Sequence, residues 1–118
     1  MIVYREYYIN SARFLPNLPK DHICSNLHGH TYYIKVSVKG PINHKTGFVI
    51  DFGHIEAGIK PIYNQIDHNY LNDIEGLENP TSENMCKYIW EKIKPEISGL
   101  VEIEIKETHS TGCIYKGD

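Results

Sequence analysis

The chain has 118 residues and a mass of 13.6 kDa, enough for one compact domain and too few for two. Twelve Lys+Arg against fifteen Asp+Glu give a net charge of −3, and no basic cluster stands out, which excludes a general nucleic-acid binder. No apolar run approaches the roughly 18 residues of a membrane span, and the opening MIVYREYYIN is expected to be neither signal peptide nor anchor. Three widely separated Cys argue against a disulfide framework and for a reducing, cytoplasmic setting.

No linker, repeat or low-complexity stretch interrupts the sequence, so residues 1–118 are read as a single domain. Ile2 to Arg13, rich in Tyr and Ile, is expected to be a strand. Pro16 and Pro19 mark a loop to about Leu27. From His28 to Lys39, Tyr32, Ile34, Val36 and Val38 alternate with Thr31, Lys35, Ser37 and Lys39, the pattern of a half-buried strand. Phe48 to Ile50 is expected to add a short strand. Asp51 then reads as an N-cap before Phe52, Ile55, Ile59, Ile62 and Ile66, an amphipathic helix that Pro61 should kink or shorten. Asp67 to Asn79 reads as polar loop. Thr81 caps a second helix with Cys86, Ile89, Trp90, Ile93 and Ile97 on its buried stripe, ended near Pro95. Val101, Ile103 and Ile105 alternate with Glu102, Glu104 and Lys106 in a further strand. Helices grouped between strands point to an α+β fold with an antiparallel sheet.

Seven His are present, and their placement directs attention to chemistry. His28 and His30 share parity with Tyr32, so two imidazoles stand about 7 Å apart on one side of a strand, a geometry suited to zinc. The plainer alternative is two His satisfied by hydrogen bonds at a sheet end. Cys24 precedes them in a loop, where a thiol beside a metal or imidazole becomes a nucleophile or base. A small buried hydrophobe is the alternative, and it suits Cys86 and Cys113 better. Asp67-His68 can form a carboxylate–imidazole pair if its loop folds back; otherwise both are exposed loop residues. Glu107 and His109 continue the parity of Val101, Ile103 and Ile105. An inward carboxylate is costly unless paired, so Glu107 is a candidate for gripping N–H donors of a ligand.

Cys24-x-x-x-His28-Gly-His30, Gly47-Phe48-Val49-Ile50-Asp51-Phe52, Asp67-His68-Asn69-Tyr70-Leu71-Asn72, Asn79-Pro80-Thr81-Ser82-Glu83 and Lys106-Glu107-Thr108 occur in this order. Together they resemble the 6-pyruvoyl-tetrahydropterin synthase family, from about Tyr8 to the C-terminus. The three residues between Cys24 and His28 are most similar to the bacterial 6-carboxy-5,6,7,8-tetrahydropterin synthase branch. The resemblance implies the tunnelling fold: a four-stranded antiparallel sheet with two helices on one face, its strands joining between subunits into a barrel. It implies a lyase that converts 7,8-dihydroneopterin triphosphate to 6-carboxytetrahydropterin, acetaldehyde and triphosphate on the route to 7-deazaguanine and queuosine. It further implies Cys24 as base with Asp67 and His68 as partners, and Glu107 as pterin anchor with Thr81 and Ser82 nearby. Zinc held by three His, two of them His28 and His30, and a homo-hexamer of two trimers with sites between subunits complete the expectation.

One position departs from the family pattern. The first zinc ligand in the family lies fifteen residues before the His-Gly-His motif, where this chain has Arg13 within Ser11-Ala12-Arg13-Phe14-Leu15. A guanidinium is a permanent cation without an acceptor lone pair, so it does not ligate zinc. Three accounts are open: zinc held by His28, His30 and a substitute such as His22 or His109; Arg13 itself supplying the charge and holding substrate oxygens; or a pterin-binding paralogue with little turnover. His44 and His54 read as surface residues.

Overall fold

The structure is a computed structural model that describes residues 1–118. Four antiparallel strands form one sheet in sequential order: β1 (Ile2–Arg13), β2 (His28–Lys39), β3 (Leu100–Lys106) and β4 (Gly112–Tyr115). Between β2 and β3 lie two helices, α1 (Phe52–Ile66) and α2 (Ser82–Ile93). The expected α+β class and the helix positions agree with this order, and β4 is a strand that the sequence pattern did not locate.

The period-two pattern decides which side of the sheet the helices cover. Ile9 on β1 pairs with Tyr32 on β2, Ile34 with Ile105 on β3, and Val36 with Ile103. All six are buried, together with Ile55, Ile59, Ile62 and Ile66 from α1 and Met85, Cys86, Ile89 and Ile93 from α2. The other face of the sheet stays open and carries Tyr4, Tyr8 and Tyr33, all exposed. The molecule is elongated, 57 × 26 × 23 Å, with a radius of gyration of 15.4 Å. A compact chain of this length is expected near ~13.5 Å. The long β1–β2 hairpin accounts for the difference.

Local chemistry explains the helix starts. Asp51 accepts a hydrogen bond from Gly53 N–H at 2.8 Å, and Thr81 accepts one from Asn84 N–H at 3.1 Å, each supplying an acceptor for an orphan donor of the first turn. Three expectations need correction. Phe48 to Ile50 is not a strand: the Phe48 carbonyl accepts from Asn43 N–H at 2.7 Å, folding the segment into a loop. Pro61 does not shorten α1, which runs unbroken from Phe52 to Ile66. Pro61 and Ala57 both lie on the solvent side, so the carbonyl that loses its helical donor can turn to water. The loop after α1 is not wholly polar either, because Leu71 and Leu77 are fully buried in it.

Candidate active site

The inward parity that buries Ile9 and Tyr32 continues to the end of the β1–β2 hairpin, where the apolar residues stop. There Ser11 pairs with His30 and Arg13 with His28. The two imidazoles have ring centroids 6.5 Å apart, with planes at 70°. His28 Nδ1–H donates to the Asn26 carbonyl at 2.7 Å, which leaves Nε2 as the ring's lone-pair nitrogen. His30 packs edge-on against Tyr32, centroids 5.0 Å apart.

Arg13 is the pivot of this end. Its side chain is 4% exposed, yet it is a full cation. Nη1–H donates to the Pro80 carbonyl and Nη2–H to Glu107 Oε1, at 2.9 and 2.8 Å, and the guanidinium carbon lies 5.2 Å from the Tyr32 ring centroid. Glu107 follows directly after β3 and is oriented by a backbone bond from its N–H to the Thr111 carbonyl at 3.1 Å. The Ser82 hydroxyl, in the first turn of α2, donates to the same Oε1 atom. Burial alone would raise the Glu107 carboxyl, but the bonds from Ser82 and Arg13, with the guanidinium charge, outweigh it and hold the group below the usual carboxylate range. Three polar atoms in this cluster are buried without a partner: Arg13 Nε, His30 Nε2 and the Tyr32 hydroxyl. Such groups are normally paired, so three of them together set this end of the sheet apart from the rest of the core.

Asp67 and His68 form a second cluster. Asp67 ends α1, and its Oδ1 accepts from Asn10 N–H at 3.0 Å. His68 Nδ1–H donates to Asp67 Oδ2 at 2.8 Å. Burial pushes the Asp67 carboxyl up, but the Asn10 and His68 bonds prevail and lower it. His68 has φ of 54°, in the left-handed region that a non-glycine residue enters at a cost, and its own N–H donates to the Asn10 carbonyl at 2.7 Å. Its side chain is 76% exposed.

Residues 2–118 match the family profile described as 6-pyruvoyl tetrahydropterin synthase. The chain belongs to that family. It is 35% identical over 120 residues to the 6-carboxy-5,6,7,8-tetrahydropterin synthase of Synechocystis sp., covering 97% of this chain and 92% of that protein. The 6-pyruvoyl tetrahydrobiopterin synthase of Drosophila melanogaster is 36% identical over 105 residues, covering 80% of this chain and 61% of that one. In structure, the 6-pyruvoyl tetrahydropterin synthase of Caenorhabditis elegans superposes with a TM-score of 0.91 at 28% identity, covering 100% of this chain and 96% of that chain. Membership of the 6-pyruvoyl tetrahydropterin synthase family makes the chain an enzyme of the pterin-synthase type, and no helix is long and apolar enough to cross a membrane.

Within this synthase fold, the residues singled out from the sequence divide into two groups. Arg13, His28, His30, Ser82 and Glu107 gather at one end of the sheet, and Cys24 stands in the adjoining loop, partly buried. Asp67 and His68 stand apart on the outer edge of β1, and no hydrogen bond or ion pair joins them to Cys24. The Thr81 hydroxyl oxygen accepts the capping bond of α2. His109 does not follow Glu107 inward. The strand stops at Lys106, and His109 lies with Tyr8 and Tyr33 around a hollow on the open face. His22 is exposed, with Nδ1 accepting from Cys24 N–H at 3.0 Å. His44 and His54 are exposed, as expected.

A zinc centre of three imidazoles does not fit these residues. Two rings are in place, but the third position is an arginine already bonded to a carboxylate, and no group of three His, Cys, Asp or Glu side chains converges anywhere in the chain. Periodicity did not single out Tyr32 as more than core, nor Asn10 at all. A usable signal existed for the Arg13–Glu107 pair: two inward-facing charges of opposite sign at the same end of a sheet need each other.

Proposed function

We propose that the chain is a 6-carboxy-5,6,7,8-tetrahydropterin synthase-like carbon–carbon lyase acting on 7,8-dihydroneopterin triphosphate in 7-deazaguanine and queuosine biosynthesis. The observation that carries this reading is Glu107. A pterin edge presents N–H donors, and Glu107 is an inward-facing carboxylate held ionised by Ser82 and Arg13. Oε1 is engaged by both partners, while Oε2 has no hydrogen bond within the chain and accepts from the pterin. Ser82, through its bond to Glu107, and Thr81 beside it are assigned to the same pterin contact.

Cys24 abstracts a proton from the substrate side chain as general base, and His68 returns protons as general acid. Asp67 fixes the His68 tautomer with Nδ1–H facing the carboxylate, leaving Nε2 for the proton transfer. The exposed His68 ring, which no hydrogen bond joins to Cys24, favours sites completed between subunits, in a homo-hexamer of two trimers whose sheets close into barrels. The elongated sheet, its open tyrosine-bearing face and the edge of β1 support that assembly. The zinc expected at His28 and His30 lacks a third donor, so no step is routed through it. Three free thiols suit a cytoplasmic setting.

Purified protein given 7,8-dihydroneopterin triphosphate should release acetaldehyde. Absence of acetaldehyde, with or without added zinc, overturns the lyase reading. In that case Arg13 favours a second reading, a pterin-binding paralogue with little or no turnover; a pyruvoyl product without acetaldehyde would identify 6-pyruvoyl-tetrahydropterin synthase activity instead.

A further inference from the structure

We propose that this site binds its ligand without zinc, and that Arg13 serves as its fixed cation and as a donor to the oxygens of the ligand's side chain. The inference rests on the pterin reading above and specifies how that site holds the rest of its ligand.

Three observations converge on it. Arg13 is immobilised from three directions, by the Pro80 carbonyl, by Glu107 and by the Tyr32 ring beneath the guanidinium. It is therefore a built component of the site and not a surface charge that happens to be near. A divalent cation bound by His28 and His30 would sit beside this immobile positive charge, on the same face and in the neighbouring cross-strand position. No substitute ligand is at hand, because His22 caps its own turn through Nδ1 and His109 lies with the open face.

The second half of the inference comes from the buried atoms that have no partner. Arg13 Nε–H and the Tyr32 hydroxyl are donors, and His30 Nε2 completes a group of three around one ring. Leaving such atoms unpaired is unfavourable, and a ligand bearing hydroxyl oxygens would satisfy them together. On the pterin reading above, Glu107 takes the N–H donors of the ring, and the hydroxylated side chain falls to Arg13, Tyr32 and His30. Arg13 polarises those hydroxyls by charge and hydrogen bonding, in place of coordination.

Cobalt titration and 7,8-dihydroneopterin binding test this on the full chain. The protein as isolated, stripped with a chelator, should show no stoichiometric Co²⁺ uptake and no tetrahedral absorption bands, whereas Arg13→His should take up one ion per chain. Stoichiometric uptake by the unaltered protein that His28→Ala abolishes overturns the inference. In the second arm, the affinity for 7,8-dihydroneopterin should stay within about twofold on adding a chelator and fall about tenfold or more in Arg13→Gln, the equivalent of one lost hydrogen bond to a charged group. A chelator effect of about tenfold overturns the inference even if the Arg13→Gln protein fails to fold. No binding of 7,8-dihydroneopterin under any condition overturns the pterin reading instead, and the cobalt arm still decides the metal question.

Discussion

Arg13 Nη2 donates to Glu107 Oε1 at 2.8 Å across a sequence separation of 94 residues, closing the end of the sheet where β1, β2 and the segment after β3 meet. The guanidinium is almost completely buried and the carboxylate about one-third exposed, so the two partners differ in what they need. Glu107 can turn to water; Arg13 cannot. Glu107→Gln keeps an amide oxygen for Arg13 but removes the counter-charge of a buried guanidinium, and should cost about 1–3 kcal/mol. Urea unfolding of both proteins measures it, and an unchanged midpoint would show that the Glu107 charge is not needed to hold Arg13.

The same pair sets an acid limit on stability. Glu107 and Asp67 both have carboxyls lowered in the folded chain, so their contribution is fully present above the ordinary carboxylate pKa and is lost as pH falls through the lowered folded values. Melting temperatures should hold from neutrality down to about pH 5 and fall below it. Glu107→Gln should start from a lower value and lose less between pH 5 and pH 3. Parallel curves for the two proteins would contradict the assignment.

The three thiols should react in a set order. Cys24 is partly exposed in its loop, whereas Cys86 is buried with its sulfur 3.4 Å from that of Cys113. Burial pushes both of those thiols up, most strongly Cys86, away from the reactive thiolate. Iodoacetamide at neutral pH, followed by peptide mass spectrometry, should modify Cys24 first and Cys86 only on unfolding. Loss of acetaldehyde release should track Cys24 modification.

Asp67→Asn should separate catalysis from folding. The amide oxygen still accepts from Asn10 N–H, but it no longer enforces the His68 tautomer or stabilises the imidazolium. Turnover should fall about 10²-fold or more, while the melting temperature falls only by the share that the Asp67 charge contributes to stability. Equal activity would remove the Asp67–His68 pair from the mechanism.

Gly99 tests the entrance to β3. Its φ is +82°, and a Cβ there would lie 2.7 Å from the Lys39 carbonyl oxygen, which is backbone and cannot move aside. The Gly99 carbonyl also accepts from Lys39 N–H at 2.9 Å. Gly99→Ala should destabilise the fold by about 1–3 kcal/mol in chemical denaturation, through strain and overpacking together.

Much of this protein was legible before any coordinates. Alternation along β1 and β2 determined which side chains face the helices, and spacings of three and four determined the buried stripes of α1 and α2. These are local periodicities, and the hydrophobic effect acts on them wherever the chain goes. The same parity correctly turned His28, His30 and Glu107 inward, and the five ordered motifs were enough for the family. Phe48 to Ile50 failed for the complementary reason: β-propensity without a partner strand does not make a strand.

Tertiary structure alone decided what Arg13 does. From the sequence, it was a missing imidazole. Its actual partners, Pro80, Glu107 and Tyr32, come from three distant segments that meet only when the sheet takes its register and α2 docks against it. No periodicity encodes such a meeting, because it depends on the relative placement of whole elements. The sequence determined that a charge sits at the end of the β1–β2 hairpin; the fold determined that this charge is clamped, buried and paired with Glu107, the carboxylate proposed here to receive the pterin.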